Sequence, residues 1–110
     1  GQPIIIGGSM ATGSYLLVGT EDAMEKSWGS TAHGSGRTMS RHQAKKMVKG
    51  RDLAEEMKQK GILVKAASYS GLAEEAGFAY KNISDVVEAC ELSGISKKVV
   101  AFEPIGNIKG

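Results

Sequence analysis

The apolar residues of this chain come in short runs that glycines and polar residues cut apart. "PIII" (Pro3 to Ile6), "YLLVG" (Tyr15 to Gly19), "ILVKAA" and "KKVVAFEP" are each too short and too apolar or β-branched for a helix. They read as buried strands, the last ended by Pro104. Helical segments alternate with them. Thr20 stands where it would cap "EDAMEK", with Glu21 and Asp22 in a first turn whose dipole favours acids. Ser40 or Thr38 opens a helix running to about Lys49. "DLAEEMKQKG" sets Asp52 three residues before Glu55, a capping-box spacing, and ends at Gly61. "SGLAEEAG" is a short helix, and "SDVVEACELSG" is a second one, capped by Ser84 and ended by Gly94. With neither repeat nor linker, residues 1–110 are expected to form a single segment of α+β class, with mixed strands and helices.

Composition narrows the alternatives. Hydrophobic residues at 41% and charged residues at 24% suit a globular chain and exclude disorder. Aromatics at 5% leave the core to Ile, Leu, Val, Met and Ala. The 15 glycines cluster in loops and show no period, which sets collagen-like readings aside. Cys90, the one cysteine, can form no internal disulfide and offers no zinc-type spacing, which fits a reducing compartment. It lies among the apolar positions of the "VVEACELSG" helix, on an expected core face. No apolar run approaches the roughly 18 residues of a membrane span, and "GQPIIIGGSM" has no signal-peptide pattern. A cytoplasmic location without membrane contact is the expectation.

The net charge of +2 is unevenly spread. From Arg37 to Lys65 nine Lys and Arg face only Asp52, Glu55 and Glu56. Arg37, Arg41, Lys45 and Lys49 recur every four residues, a spacing that would draw a basic stripe along a helix. A solvated helix face and a polyanion-binding face, an RNA backbone for instance, both account for such a stripe.

Two glycine-rich segments carry the chemistry. "GGSMATGSY" (Gly7 to Tyr15) joins two expected strands, and "STAHGSGR" sets His33 among residues too small to bury it. Glycine lets backbone N–H groups approach an anion closely, and an ordinary tight turn is the plain alternative for each segment. Neither matches a Walker A loop or GxGxxG. Together with the basic stripe and an exposed-looking histidine they suggest a nucleotide or RNA phosphate site.

The string "GSMATGSYLLVGTEDAMEKSWGSTAHGSGRTMSR" resembles the C-terminal part of the RtcB family of RNA ligases. The resemblance extends through "SGLAEEA" and "YKNISDVVE" to the "PIGNIKG" tail. It implies the C-terminal part of an RtcB-like fold, and an enzyme joining RNA 2′,3′-cyclic phosphate or 3′-phosphate ends to 5′-hydroxyl ends with GTP and manganese. By position His33 would be the nucleophile forming a histidine–GMP adduct. Gly34, Ser35 and Gly36 would line the nucleotide, as would Gly7, Gly8, Ser9 and Met10. Ser14 and Lys109 would contact guanine, and Arg37 and Arg41 would take phosphate or the RNA backbone. Manganese ligands would lie outside this chain, because His42 and Cys90 are its only other soft ligands. Implied partners are RNA (tRNA halves or broken RNA), the N-terminal portion of such a ligase, and archease. A non-catalytic RNA- or nucleotide-binding module derived from such a ligase is the alternative function. Ser35 stands where the family carries alanine, Ala32 where cysteine is expected, Ala11 for glycine and Gly7 for proline.

Overall fold

A computed structural model describes residues 1–110. In chain order the elements are β1 (Pro3–Gly7), β2 (Ser14–Gly19), α1 (Asp22–Ser27), α2 (Arg41–Met47), α3 (Gly50–Gln59), β3 (Leu63–Ala66), α4 (Tyr69–Ala73), a 3-10 turn (Gly77–Ala79), α5 (Ile83–Leu92), β4 (Ser96–Phe102) and β5 (Gly106–Lys109). The α+β expectation holds. Its two sheets divide the chain into a sheet half and a helical half.

In the sheet half, β1, β2 and β4 form an antiparallel sheet in that order. β1 and β2 are a hairpin with Gly7 opposite Ser14. Leu16 pairs with Val100 but Leu17 with Lys98, so Val99 is the extra residue of a β-bulge. α5 lies on one face, where Ile6, Leu17, Ile83, Val87 and Cys90 form a buried cluster. Cys90 is therefore a core residue, as its apolar setting suggests.

In the helical half, Leu53 and Met57 point inward from the same stripe of α3 and meet Ile62, Leu72, Ala76 and Met10. Complete burial of each such side chain contributes roughly 1.5–3 kcal/mol. Met10 comes from the β1–β2 turn, so this one side chain pins the hairpin to the helices. β5 pairs in parallel with β3, Ala66 beside Lys109.

Several local expectations are corrected. Thr20 does not cap α1: Glu21 precedes the helix without a side-chain bond, and the Thr20 hydroxyl donates to the Gly94 carbonyl instead. Asp52 lies in the first turn of α3, after an uncapped start at Lys49. Asn82 caps α5, its Oδ1 accepting the Ser84 N–H at 2.9 Å. Ser40, rather than Thr38, caps α2, and Thr38 donates to the Phe78 carbonyl. The basic stripe does not follow one helix. Arg37 precedes the Ser40 cap, and Val48 is extended (φ −150°), so Lys49 starts a new helix. Gly50, the first residue of α3, must be glycine, because the Tyr69 backbone lies where its Cβ would be. The charges on this segment find acids just past α4: Lys45 reaches Glu74 at 3.3 Å and Arg37 reaches Glu75 at 3.7 Å. No helix is long and apolar enough to cross a membrane.

Candidate functional site

The hairpin turn between β1 and β2 is closed by its own hydrogen bonds. The Gly8 N–H donates to the Gly13 carbonyl at 2.8 Å, and the Ser9 N–H donates to Thr12 Oγ1 at 2.9 Å. Gly13 has φ +78°, and a Cβ there would collide with the Phe102 carbonyl, so only glycine fits. Gly7 is different: a Cβ on it would meet no atom within 4 Å. Its bare face opens onto a cleft of about 270 Å³.

Gly7, Gly8, Ser9, Met10 and Ser14 line that cleft from the turn. Across it stand Phe102, Glu103, Asn107 and Lys109 from the C-terminal strands. Met10 contributes backbone only, since its side chain is buried in the helical core and its carbonyl accepts from Asn107 Nδ2 at 3.3 Å. Lys109, one residue from the chain end, is held in β5, where its carbonyl also accepts the Ala67 N–H at 3.0 Å. Six of the residues singled out by the family motif thus converge here. Phe102, Glu103 and Asn107 were not among them, and nothing local in "AFEPIGN" marks residues that become neighbours only through pairing, Phe102 opposite Ser14 and Asn107 opposite Val64.

The His33 loop is strapped to the rim of this cleft through Gly7. The Gly7 N–H donates to the His33 carbonyl at 3.3 Å, and the Ser35 N–H donates to the Gly7 carbonyl at 2.9 Å. Gly34 pairs in parallel with Gly7, so the loop runs as a short extra strand beside the end of β1. His33 is exposed, and its imidazole bonds to no atom of the chain. The Gly34 and Gly36 N–H groups likewise donate to no chain atom, whereas the Gly36 carbonyl accepts from Lys81 at 2.9 Å. Ser35 is 4% exposed and its hydroxyl has no partner.

Arg37 anchors the loop from the other side. Its Nε donates to the Met39 carbonyl at 3.0 Å, Nη2 to the Glu74 carbonyl at 2.7 Å and Nη1 to the Tyr80 hydroxyl at 3.1 Å. The guanidinium also lies 4.9 Å from the centre of the Tyr80 ring. The Tyr80 hydroxyl donates to the Glu75 carboxylate. Burial first, then that bond and the charge of Glu75, raise the Tyr80 pKa above its ordinary 10.0, with Arg37 opposing. Arg41, at the start of α2, is exposed and pairs with no acid. Of the two arginines expected at phosphate or the RNA backbone, Arg37 is engaged within the fold and Arg41 is exposed. Nowhere do three His, Cys, Asp or Glu side chains group as metal ligands.

The cleft gathers backbone groups and Lys109, and the His33 loop tied to its edge leaves two backbone donors and an exposed imidazole free; phosphoryl and nucleotidyl transfer uses groups of these kinds. The model of the family described as tRNA-splicing ligase RtcB matches residues 1–110. The chain belongs to that family. It is 57% identical over 109 residues to the tRNA-splicing ligase RtcB of Methanopyrus kandleri, covering 99% of this chain and 11% of that protein. The namesakes from Methanococcus maripaludis and Archaeoglobus fulgidus are each 52% identical over 110 residues, covering all of this chain and 23% of theirs. The chain thus spans between about a tenth and a quarter of the length of these relatives.

Proposed function

We propose that this chain is the nucleotide-handling part of a GTP-dependent RNA ligase that joins 3′-phosphate or 2′,3′-cyclic phosphate ends to 5′-hydroxyl ends. The supporting observation is the convergence of Gly7–Met10, Ser14 and Lys109 on one cleft, to whose rim Gly7 ties the His33 loop. About 270 Å³ lies near the lower bound of small-ligand clefts, roughly 300–1,000 Å³, and suits a purine base more than a whole nucleotide. Guanine would lie between Ser14 and Lys109, whose ammonium donates to the O6 and N7 acceptors. The phosphates would extend toward the unpaired N–H groups of Gly34 and Gly36, beside Ser35.

In this reading a ring nitrogen of His33 attacks the α-phosphorus of GTP, forming an N–P bond as pyrophosphate leaves. GMP passes to the RNA 3′-phosphate, and the 5′-hydroxyl then attacks that phosphate and displaces GMP. Small neighbours leave the attacking face of the imidazole clear, and its second nitrogen needs an acceptor from outside these residues. Arg41 would face the RNA backbone. Arg37 has guanidinium N–H groups beyond the three bonded ones, and only these could turn to phosphate. The donor set of this chain does not fit a manganese centre, so the metal would be held by the N-terminal portion of the ligase. RNA (tRNA halves or broken RNA) is the substrate of this reading, archease a further partner, and the cytoplasm its setting. The test is GMP labelling of a complete ligase carrying this segment: His33→Ala abolishes labelling and ligation, whereas His42→Ala leaves labelling intact. Retained labelling in His33→Ala overturns the proposal.

A further inference from the structure

The sheet half has one covered face and one bare edge. β4 is the last strand in the order β1–β2–β4, and every residue of it after Ser96 is exposed. Val99 is 59%, Val100 42% and Phe102 46% exposed. On the face away from α5, Val100 pairs beside Leu16, and Leu16 beside Ile5, itself 58% exposed. This cross-strand strip is apolar, exposed at Ile5 and Val100 and half-buried at Leu16.

The two ends of β4 are guarded differently. At its start stand Lys97 and Lys98, and the Lys98 N–H donates to the Glu91 carboxylate at 2.8 Å. Such charges and side-chain caps blunt an edge against unwanted pairing. From Val99 to Phe102 there is neither charge nor cap, and the side chains favour strand pairing.

We propose that Val99–Phe102 is the docking strand for the remainder of the ligase, which adds a β-strand along this edge and covers the Ile5–Leu16–Val100 strip. The inference rests on family membership alone and stands whether or not His33 is the nucleophile. The occupant follows from length. The relatives carry the matched stretch as only 11% to 23% of their chains, so in them a large remainder is available to cover this edge. A second copy is disfavoured because the Val99 bulge twists the edge away from flat self-pairing. Phe102 also borders the cleft, so the docked portion would lie next to it.

The test follows amide hydrogen exchange in a complete ligase carrying this segment. The expected result is that the Val99–Phe102 amides exchange at least roughly tenfold more slowly than in an unpaired peptide of the same sequence. Val100→Lys, at a position 42% exposed here, speeds exchange at these amides by at least roughly tenfold while exchange in α5 stays unchanged. Lys46→Ala, on α2, leaves exchange at these amides as it was. Exchange at the unpaired rate, or protection that disappears when a self-associated enzyme is diluted to monomers, would overturn the proposal.

Discussion

The two glycine-rich segments share a composition and differ in how the fold uses it. The Gly8–Gly13 turn is bonded to itself, plugged into the helical core by Met10 and required to be glycine at Gly13. The His33 loop bonds instead to its surroundings, through Gly7, Lys81 and Arg37, and leaves its imidazole and two backbone donors unengaged. One segment is closed on itself, and the other leaves donors free. Glycine content alone does not separate them; the separation depends on which N–H groups are already spent.

Substitution at two glycines of the hairpin, Gly13 and Gly7, breaks this comparison most sharply. Gly13→Ala forces a left-handed backbone, which costs about 1–2 kcal/mol alone, and drives its Cβ into the Phe102 carbonyl. A loss above about 2 kcal/mol is expected in urea unfolding, the largest effect among these variants. Gly7→Ala meets no atom and should shift stability by less than about 0.5 kcal/mol while weakening guanine nucleotide binding, because the new methyl faces the cleft. Equal destabilisation by both would remove the distinction between scaffold and cleft wall.

Lys109→Ala should act on specificity and not on folding. Its strand is held by backbone pairing that the side chain does not supply. In a complete ligase the GTP-over-ATP preference should fall by roughly tenfold, equivalent to about 1.4 kcal/mol. Unchanged preference in nucleotide competition would remove Lys109 from the guanine site.

Tyr80 sharpens the anchoring role of Arg37. Its folded pKa is raised, so the neutral phenol is the favoured native form. Its contribution to stability is fully present below the unfolded value near 10 and is lost as pH rises through the higher folded value. Stability measured by denaturant should therefore decline above pH 10, and Tyr80→Phe should flatten that decline. The smallest effect belongs to Ser35→Ala. The Ser35 hydroxyl is buried without a partner, a state that costs about 1–3 kcal/mol, but part of any gain is offset by lost packing. A small rise in unfolding midpoint is expected, and a clear fall would show that the hydroxyl contributes a stabilising bond.

Much of this architecture was legible where the signal is local. Four apolar runs became β1 to β4, and Gly61 and Gly94, both with positive φ, stop the helices they were expected to stop. What failed depended on distant partners. The Thr20 hydroxyl is drawn to Gly94, 74 residues away, and the basic helix breaks at Val48 and Lys49, just before Gly50 meets the Tyr69 backbone. β5 is four residues long and exists only by pairing with β3, so "GNIK" alone could not announce it. The cleft residues were found through the family motif, whereas Asn107 and Glu103 join them only through the fold. Arg37 was expected at a phosphate, and the Glu74 carbonyl and Glu75 carboxylate that hold it, just past α4, lie nearly forty residues downstream.

The most direct measurement maps the covalent label. A complete ligase carrying this segment is incubated with GTP and manganese, digested, and analysed by mass spectrometry over the Ser30–Arg41 peptide. The account predicts a GMP adduct on His33 that acid removes and base does not, as for a phosphoramidate, and that is absent from His33→Ala. A label on Ser30 or Ser35, or a base-labile and acid-stable adduct, would contradict it.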